Sequence, residues 1–234
     1  MLTLSIDTTA KTCSVAISDD ALLSIFSVNN TLTHSENLML MVDSALKTAG
    51  KKITDVEAIA VSVGPGSFTG VRIGVAAVKG LAFGKDIKIA PVSTLDALSY
   101  NAADTDSIVC ASMDARRDQT YYALFSIENG TPVRLTEDIA DVFDAACEKT
   151  LEFCKKLEKK SVIFVGDGAK LCYNTFIGKN YGDVKPRLAS ENIRFQNAYS
   201  VALAGAKIFN AGKAVSAELL ECTYLRRPQA EEQK

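Results

Sequence analysis

The sequence has 234 residues, 47% of them hydrophobic and 23% charged, with a formal net charge of −2 and a pI near 5.6. That is the composition of an ordinary globular protein, enough for one large domain or two small ones. It excludes free-standing nucleic-acid binding, which needs a basic surface, but not contact with RNA inside a larger assembly.

The chain enters a β-rich pattern at Leu2 without a basic leader, and no apolar run is long enough to span a bilayer. A cytoplasmic protein with no membrane contact is expected. LTLSID (2–7), CSVAIS (13–18) and LLSIFSV (22–28) read as a three-stranded antiparallel meander. A helix follows, with Thr33 and Glu36 in a T-x-x-E capping box and Gly50 at its C-terminal end. Residues 38–42 of that helix, LMLMV, carry more apolar surface than one core-facing stripe needs, which suggests cover on a second side. Next come a buried strand (58–63), a glycine-rich helix from about Ser67, the strand IKIAPV (87–92), and a helix capped by STLD and running to about Ala103. The order is βββαβαβα.

The order then recurs. SIVCASMD (107–114), TYYALFSI (120–127) and TPVRL (131–135) make a second meander, 138–160 is helical as one helix or two, and SVIFVG is a strand. A helix at 167–176, the strand VKPRL and a last helix at 199–211 complete the pattern. Lysines 155, 156, 159 and 160 sit late in the 138–160 segment, as the helix macrodipole prefers. They read as a solvated helix end before an RNA contact. Asp7 and Asp114 each end the first strand of a unit, 107 residues apart. Two tandem βββαβαβα units predict an α/β, duplicated ribonuclease-H-like fold, the actin-like architecture of sugar kinases and heat-shock chaperone ATPases. The first lobe is then 1–103, with the helix at 198–212 packing back on it; the second lobe is 104–197, and 213–234 is a tail.

In such a fold the first hairpin of each lobe faces nucleotide phosphates. Asp7, Thr8 and Thr9 could orient a metal-bound phosphate, or only close a turn by local hydrogen bonds. The second hairpin has no glycine at its tip and offers Arg116 and Arg117, bulk where a phosphate would approach. Gly166 and Gly168 could admit an adenosine, and a strand-to-helix turn explains them equally well. GPGSFTGVR lacks the lysine of a phosphate-binding loop. His34 is the only histidine, with leucine one helical turn on, so no zinc site and no other cofactor is expected. Six cysteines (13, 110, 147, 154, 172, 222) form no CxxC pair and read as buried thiols in a reduced compartment.

The stretch GPGSFTGVRIG poses its own question, since each interior helical glycine costs about 1 kcal/mol against alanine. Val71, Val75, Val78 and Ala82 form a core stripe at helical spacing. Gly70, Gly74, Ala77 and Gly84 form a second, small-residue seam that permits close helix approach, either by a partner or by the protein's own first helix. On the first reading the interface comprises this seam with His34, Leu38, Met41, Val42 and Ala45.

THSENL, GPGSFTGVRIG, PVSTLDAL, MDARRDQTYYALF and YLRRPQA together resemble the TsaB (YeaZ, glycoprotease-like) family, from the first strand to the tail. The resemblance implies the actin-like fold and a role in tRNA modification. There a complex transfers threonylcarbamoyl from an adenylate donor to the adenosine 3′ to the anticodon. It implies a TsaD-like catalytic subunit holding metal and donor, a TsaE-like ATPase that resets the complex, and a TsaB-like non-catalytic scaffold. tRNA would be met only within the complex, and the isolated chain could be a homodimer. TsaD carries paired histidines on the corresponding first helix; this chain has only His34. An actin-like small-molecule kinase or ATPase is the alternative, and a metallopeptidase, after the older family name, the second. The sequence leaves open whether Arg226, Arg227 or the lysines of 155–160 touch tRNA.

Overall fold

The computed structural model describes residues 1–30, 33–179 and 181–226. The chain divides into two compact units, Met1–Ala97 with Gln196–Tyr224, and Leu98–Phe195 with Leu225–Lys234.

In the first unit, β1 (Thr3–Asp7), β2 (Cys13–Asp19) and β3 (Ala21–Val28) form the expected meander. β4 (Ala58–Gly64) and β5 (Lys88–Ser93) add in parallel beside β1, giving the order β3-β2-β1-β4-β5. Alternation along each strand sorts the residues by size. Leu4, Ile6, Val15, Ile17, Ile59, Val61 and Ile89 enter one core with α1 (His34–Thr48) and α2 (Phe68–Ala82). The opposite face is made of small residues such as Ser5, Ser14, Ala16, Ala60, Ser62 and Ala90, all buried. α7 (Ala198–Asn210) lies on that face. It comes so close that a β-carbon on Gly205 would meet the Ala60 Cβ at 2.7 Å. Asn197 caps α7 by accepting from the Tyr199 amide at 2.8 Å, so the helix starts at Ala198.

The second unit repeats the plan. β6 (Ile108–Arg116) pairs antiparallel with β7 (Gln119–Glu128) and parallel with β10 (Ser161–Val165), in the order β11-β10-β6-β7-β8, with β11 at Lys185–Leu188 and β8 at Thr131–Arg134. The first strand of each unit thus sits between its own hairpin partner and a parallel neighbour. This is the duplicated ribonuclease-H-like fold. One face of the second sheet packs Ile108, Cys110, Tyr122, Leu124 and Phe164 against α4 (Phe143–Lys156) and α5 (Ala169–Lys179). Cys147, Cys154 and Cys172 fill that core as thiols, and among the described residues all six cysteines are unbridged. Burial pushes the Cys154 thiol up to about 11 and that of Cys13 to about 12.

Three expectations need correction. Residues 138–160 do not form helix throughout: Ile139–Val142 is a strand, β9, which pairs Tyr121 with Ala140 and shares the outer edge of β7 with β8. The helix after β5 is α-helical only over Thr94–Ser99 (α3), then tightens to a 3-10 turn at Tyr100–Ala102. A short helix at Glu191–Arg194 (α6) was not foreseen, and the one expected at 167–176 runs over Ala169–Lys179.

Candidate functional site

The β1–β2 turn and the β4–α2 turn of the first unit are stitched together. Asp7 is fully buried: its Oδ1 accepts from the Thr9 amide (2.9 Å) and hydroxyl (2.7 Å), and its Oδ2 from Ser62 Oγ (2.7 Å). Burial pushes the Asp7 carboxyl above its ordinary value, against the downward pull of these hydrogen bonds. Thr8 donates to the Gly70 carbonyl at 2.7 Å, and the Ser67 amide donates to the Thr9 carbonyl at the same distance. His34 ties the start of α1 to this turn, with Nε2 2.6 Å from the Ala10 carbonyl oxygen. The Asp7 carboxylate is therefore spent on internal partners. Among the described residues no group of three His, Cys, Asp or Glu is placed to hold a metal ion.

These contacts explain the glycines of α2. A β-carbon on Gly70 would run into the Thr8 carbonyl, and one on Gly74 would lie 2.5 Å from Thr8 Oγ1. Both glycines are buried against the first hairpin. Gly70 and Gly74 are thus internal packing and not an outward seam. Ala77 is half-buried at the core margin. Gly84 lies past the helix end with φ +68°, where it serves as a stop. On α1, Leu38, Met41, Val42 and Ala45 are likewise core residues facing the sheet. The correction is one of helical phase: Gly70 and Gly74 lie on the same buried side as the valines.

The outward faces of the two helices are different residues. On α2 and its cap they are Thr69, Arg72, Ala76, Gly80 and Phe83, at spacings of three and four. On α1 they include Met39, Leu40 and Asp43. Phe83 is 85% exposed and Leu40 70%. Nothing lies within 4 Å of where a Gly80 side chain would start. Beside this face is a groove of about 450 Å³ with an apolar floor of Met39, Val42, Leu46, Ile53 and Leu81, edged by Asp43, Lys47, Lys51 and Lys52.

At the head of α2 the chain's far end returns. The Thr223 amide donates to the Val63 carbonyl at 2.8 Å, and the Thr223 carbonyl occupies the space a side chain on Gly64 would need. Gly64 of the GPG turn thus makes room for the protein's own backbone. Tyr224 packs on Phe68 (ring centroids 5.0 Å apart), and its hydroxyl accepts from Arg72 Nε at 3.0 Å. The Arg72 guanidinium lies over the Phe68 ring at 3.7 Å. Sequence reasoning missed Ser62, Phe68, Arg72, Thr223 and Tyr224.

In the second unit Gly166 and Gly168 play the part of Gly70 and Gly74. A β-carbon on Gly166 would strike the Ser112 carbonyl, and one on Gly168 would lie 2.7 Å from Met113 C and 2.9 Å from the Asp114 amide nitrogen. Close approach of the β10–α5 turn to β6 is sufficient reason for both. Asp114 accepts from the Arg116 amide at 2.8 Å and pairs with its guanidinium at 3.3 Å. Arg116, Arg117 and Asp118 are all left-handed, with φ of 63°, 54° and 57°. A two-residue hairpin loop of this kind favours Asn-Gly; here it is Arg-Asp. Arg226 stands 5.9 Å from the centroid of the Tyr121 ring, and Arg227 lies outside the described residues.

A family model described as TsaD, tRNA N6-adenosine threonylcarbamoyltransferase, matches residues 29–234. The Bacillus subtilis tRNA threonylcarbamoyladenosine biosynthesis protein TsaB is 34% identical over 172 residues, 73% of each chain. The chain belongs to this family and groups with TsaB. The Escherichia coli TsaB is 38% identical over 133 residues, 56% of this chain and 58% of that one. YeaZ from Pseudomonas aeruginosa shares the fold, with a TM-score of 0.75 at 24% identity over 96% of this chain and 99% of that one. No helix of the TsaB-type chain is long and apolar enough to cross a membrane among the described residues.

Proposed function

We propose that this chain acts in forming threonylcarbamoyladenosine in tRNA, as a non-catalytic subunit that binds and shapes a TsaD-like catalytic partner. The relatives named TsaB support the pathway. The outward face of α1 and α2 supports the mode of action, and is the observation that carries it. Met39, Leu40 and Phe83 stand in solvent around a helix stripe nearly bare at Ala76 and Gly80. Exposed apolar residues grouped beside a groove mark an interaction surface. Two helices from a partner can pack there at the usual interaxial distance of about 8–10 Å, towards its short end where small residues face. The internally satisfied Asp7 and the lone His34 support a scaffold role over kinase or peptidase chemistry. A TsaE-like ATPase and tRNA join through the assembled pair.

Co-purification and calorimetric titration with the TsaD-like subunit of the same organism test the reading. Binding is expected, Phe83→Asp is expected to abolish it, and modification of a tRNA transcript should require both subunits. Parental binding by Phe83→Asp, or modification without this chain, would overturn it.

A further inference from the structure

Arg72 stands on the outward stripe of α2, between Thr69 and Ala76 and in line with Gly80 and Phe83. Its conformation is fixed from two sides. The Phe68 ring lies under the guanidinium at 3.7 Å, and the Tyr224 hydroxyl takes its Nε hydrogen at 3.0 Å. Those contacts leave the two terminal amino groups of the guanidinium unspent among the described residues. Among the described residues no carboxylate pairs with it. A guanidinium held over an aromatic ring and by a second contact has already lost part of its freedom, so it grips a planar anion at less further entropic cost. In the isolated chain water solvates these groups. Covering the stripe with a partner helix removes that water, and a desolvated charge without a counter-ion is strongly unfavourable.

We propose that Arg72 is a specificity anchor that pairs, through its terminal amino groups, with a carboxylate supplied by the helical partner on the α1–α2 face. The inference rests on the partner-binding reading above, and names the chemistry the partner must carry: a small-residue helix surface with an Asp or Glu opposite the head of α2. Tyr224 and Phe68 are positioning residues for this contact, so a residue 152 positions further along the chain takes part in recognition by α2. Arginine is among the residue types enriched at interface hot spots.

Calorimetric titration of the full-length chain with its TsaD-like subunit at several salt concentrations tests this, alongside thermal melts. Arg72→Ala should weaken binding about thirtyfold or more, because the partner's carboxylate is left buried and unpaired. Arg72→Lys should recover only part of the loss, since a lysine cannot stack and fork. Tyr224→Phe should fall between lysine and parent. Arg72 is exposed, so all three should melt near the parent's temperature. Binding of Arg72→Glu should be restored by reversing one acid on the partner's facing helices to arginine. Parental affinity in Arg72→Ala, together with loss in Phe83→Asp, would overturn the carboxylate pairing while leaving the helical face intact. Parental affinity in both would remove the face and the anchor together.

Discussion

Gly74 and Gly80 sit on one helix, six residues apart, and should respond oppositely to the same methyl group. At Gly74 a β-carbon lies 2.5 Å from Thr8 Oγ1 and 3.8 Å from Val61 Cγ2. Thr8 is fully buried and its hydroxyl is held by the Gly70 carbonyl, so it has nowhere to move. Gly74→Ala forfeits that hydrogen bond, about 1 kcal/mol, and overpacks a filled site, about 1–3 kcal/mol. The gain in helix propensity returns about 1 kcal/mol. The net is a loss of about 1–3 kcal/mol, a fall in Tm of roughly 2–12 °C for a chain of this size. Gly80 faces open space, so Gly80→Ala keeps only the propensity gain and raises Tm by about 2–4 °C. Thermal and urea denaturation of the isolated chain, with unchanged urea slopes, is the assay. A Gly74→Ala protein as stable as the parent, or a destabilised Gly80→Ala, would refute the assignment of Gly74 to internal packing and Gly80 to the surface.

Two further perturbations address the hairpins. Asp118→Gly removes a left-handed aspartate from the second loop position, where glycine is favoured and where a side chain costs about 1 kcal/mol, partly offset by about 0.4–1 kcal/mol of added freedom in the unfolded chain. Its melting temperature should equal or exceed the parent's, and a clear fall would mean that the side chain holds the turn. Asp7→Asn tests the buried carboxyl. The folded-state pKa of Asp7 is raised, so the folded protein binds the proton more tightly than the unfolded chain. Stability should therefore fall as pH rises from the ordinary aspartate value, 3.8, through the raised folded value, and stay lower above it. Asn keeps an acceptor for Thr9 and removes that loss. The variant's stability relative to the parent should climb over this pH range in chemical denaturation, and a pH-independent difference would contradict a raised Asp7.

Much of the architecture could be read from alternation alone. TLSID and AIAVSVG place large residues on one face and Ser or Ala on the other, which is the pattern of a sheet with a close-packed helix on its second side. The capping box of α1 was equally legible, because Glu36 bonds back to the Thr33 amide over three residues. β9 was not: Ile139–Val142 is a strand only because Tyr121 and its neighbours, some twenty residues earlier, offer an edge. Gly70 and Gly74 were placed on the wrong side of α2 by helical phase. A run as small and apolar as FTGVRIGVAAVKG gives little contrast between faces, and what decides is Thr8, a residue on another element. The Arg72–Tyr224 contact joins positions 152 residues apart, and nothing local to either announces it.

The first sheet's face of serines and alanines has its cover in α7, the last helix among the described residues. On the ribosome, the N-terminal unit therefore waits, half-built, until residue 210 has emerged, while the contiguous 98–195 segment already has all its strands. That arrangement runs against the usual vectorial order, in which the N-terminal domain completes first. The part made earliest is the one left longest with an open flank for a chaperone to guard.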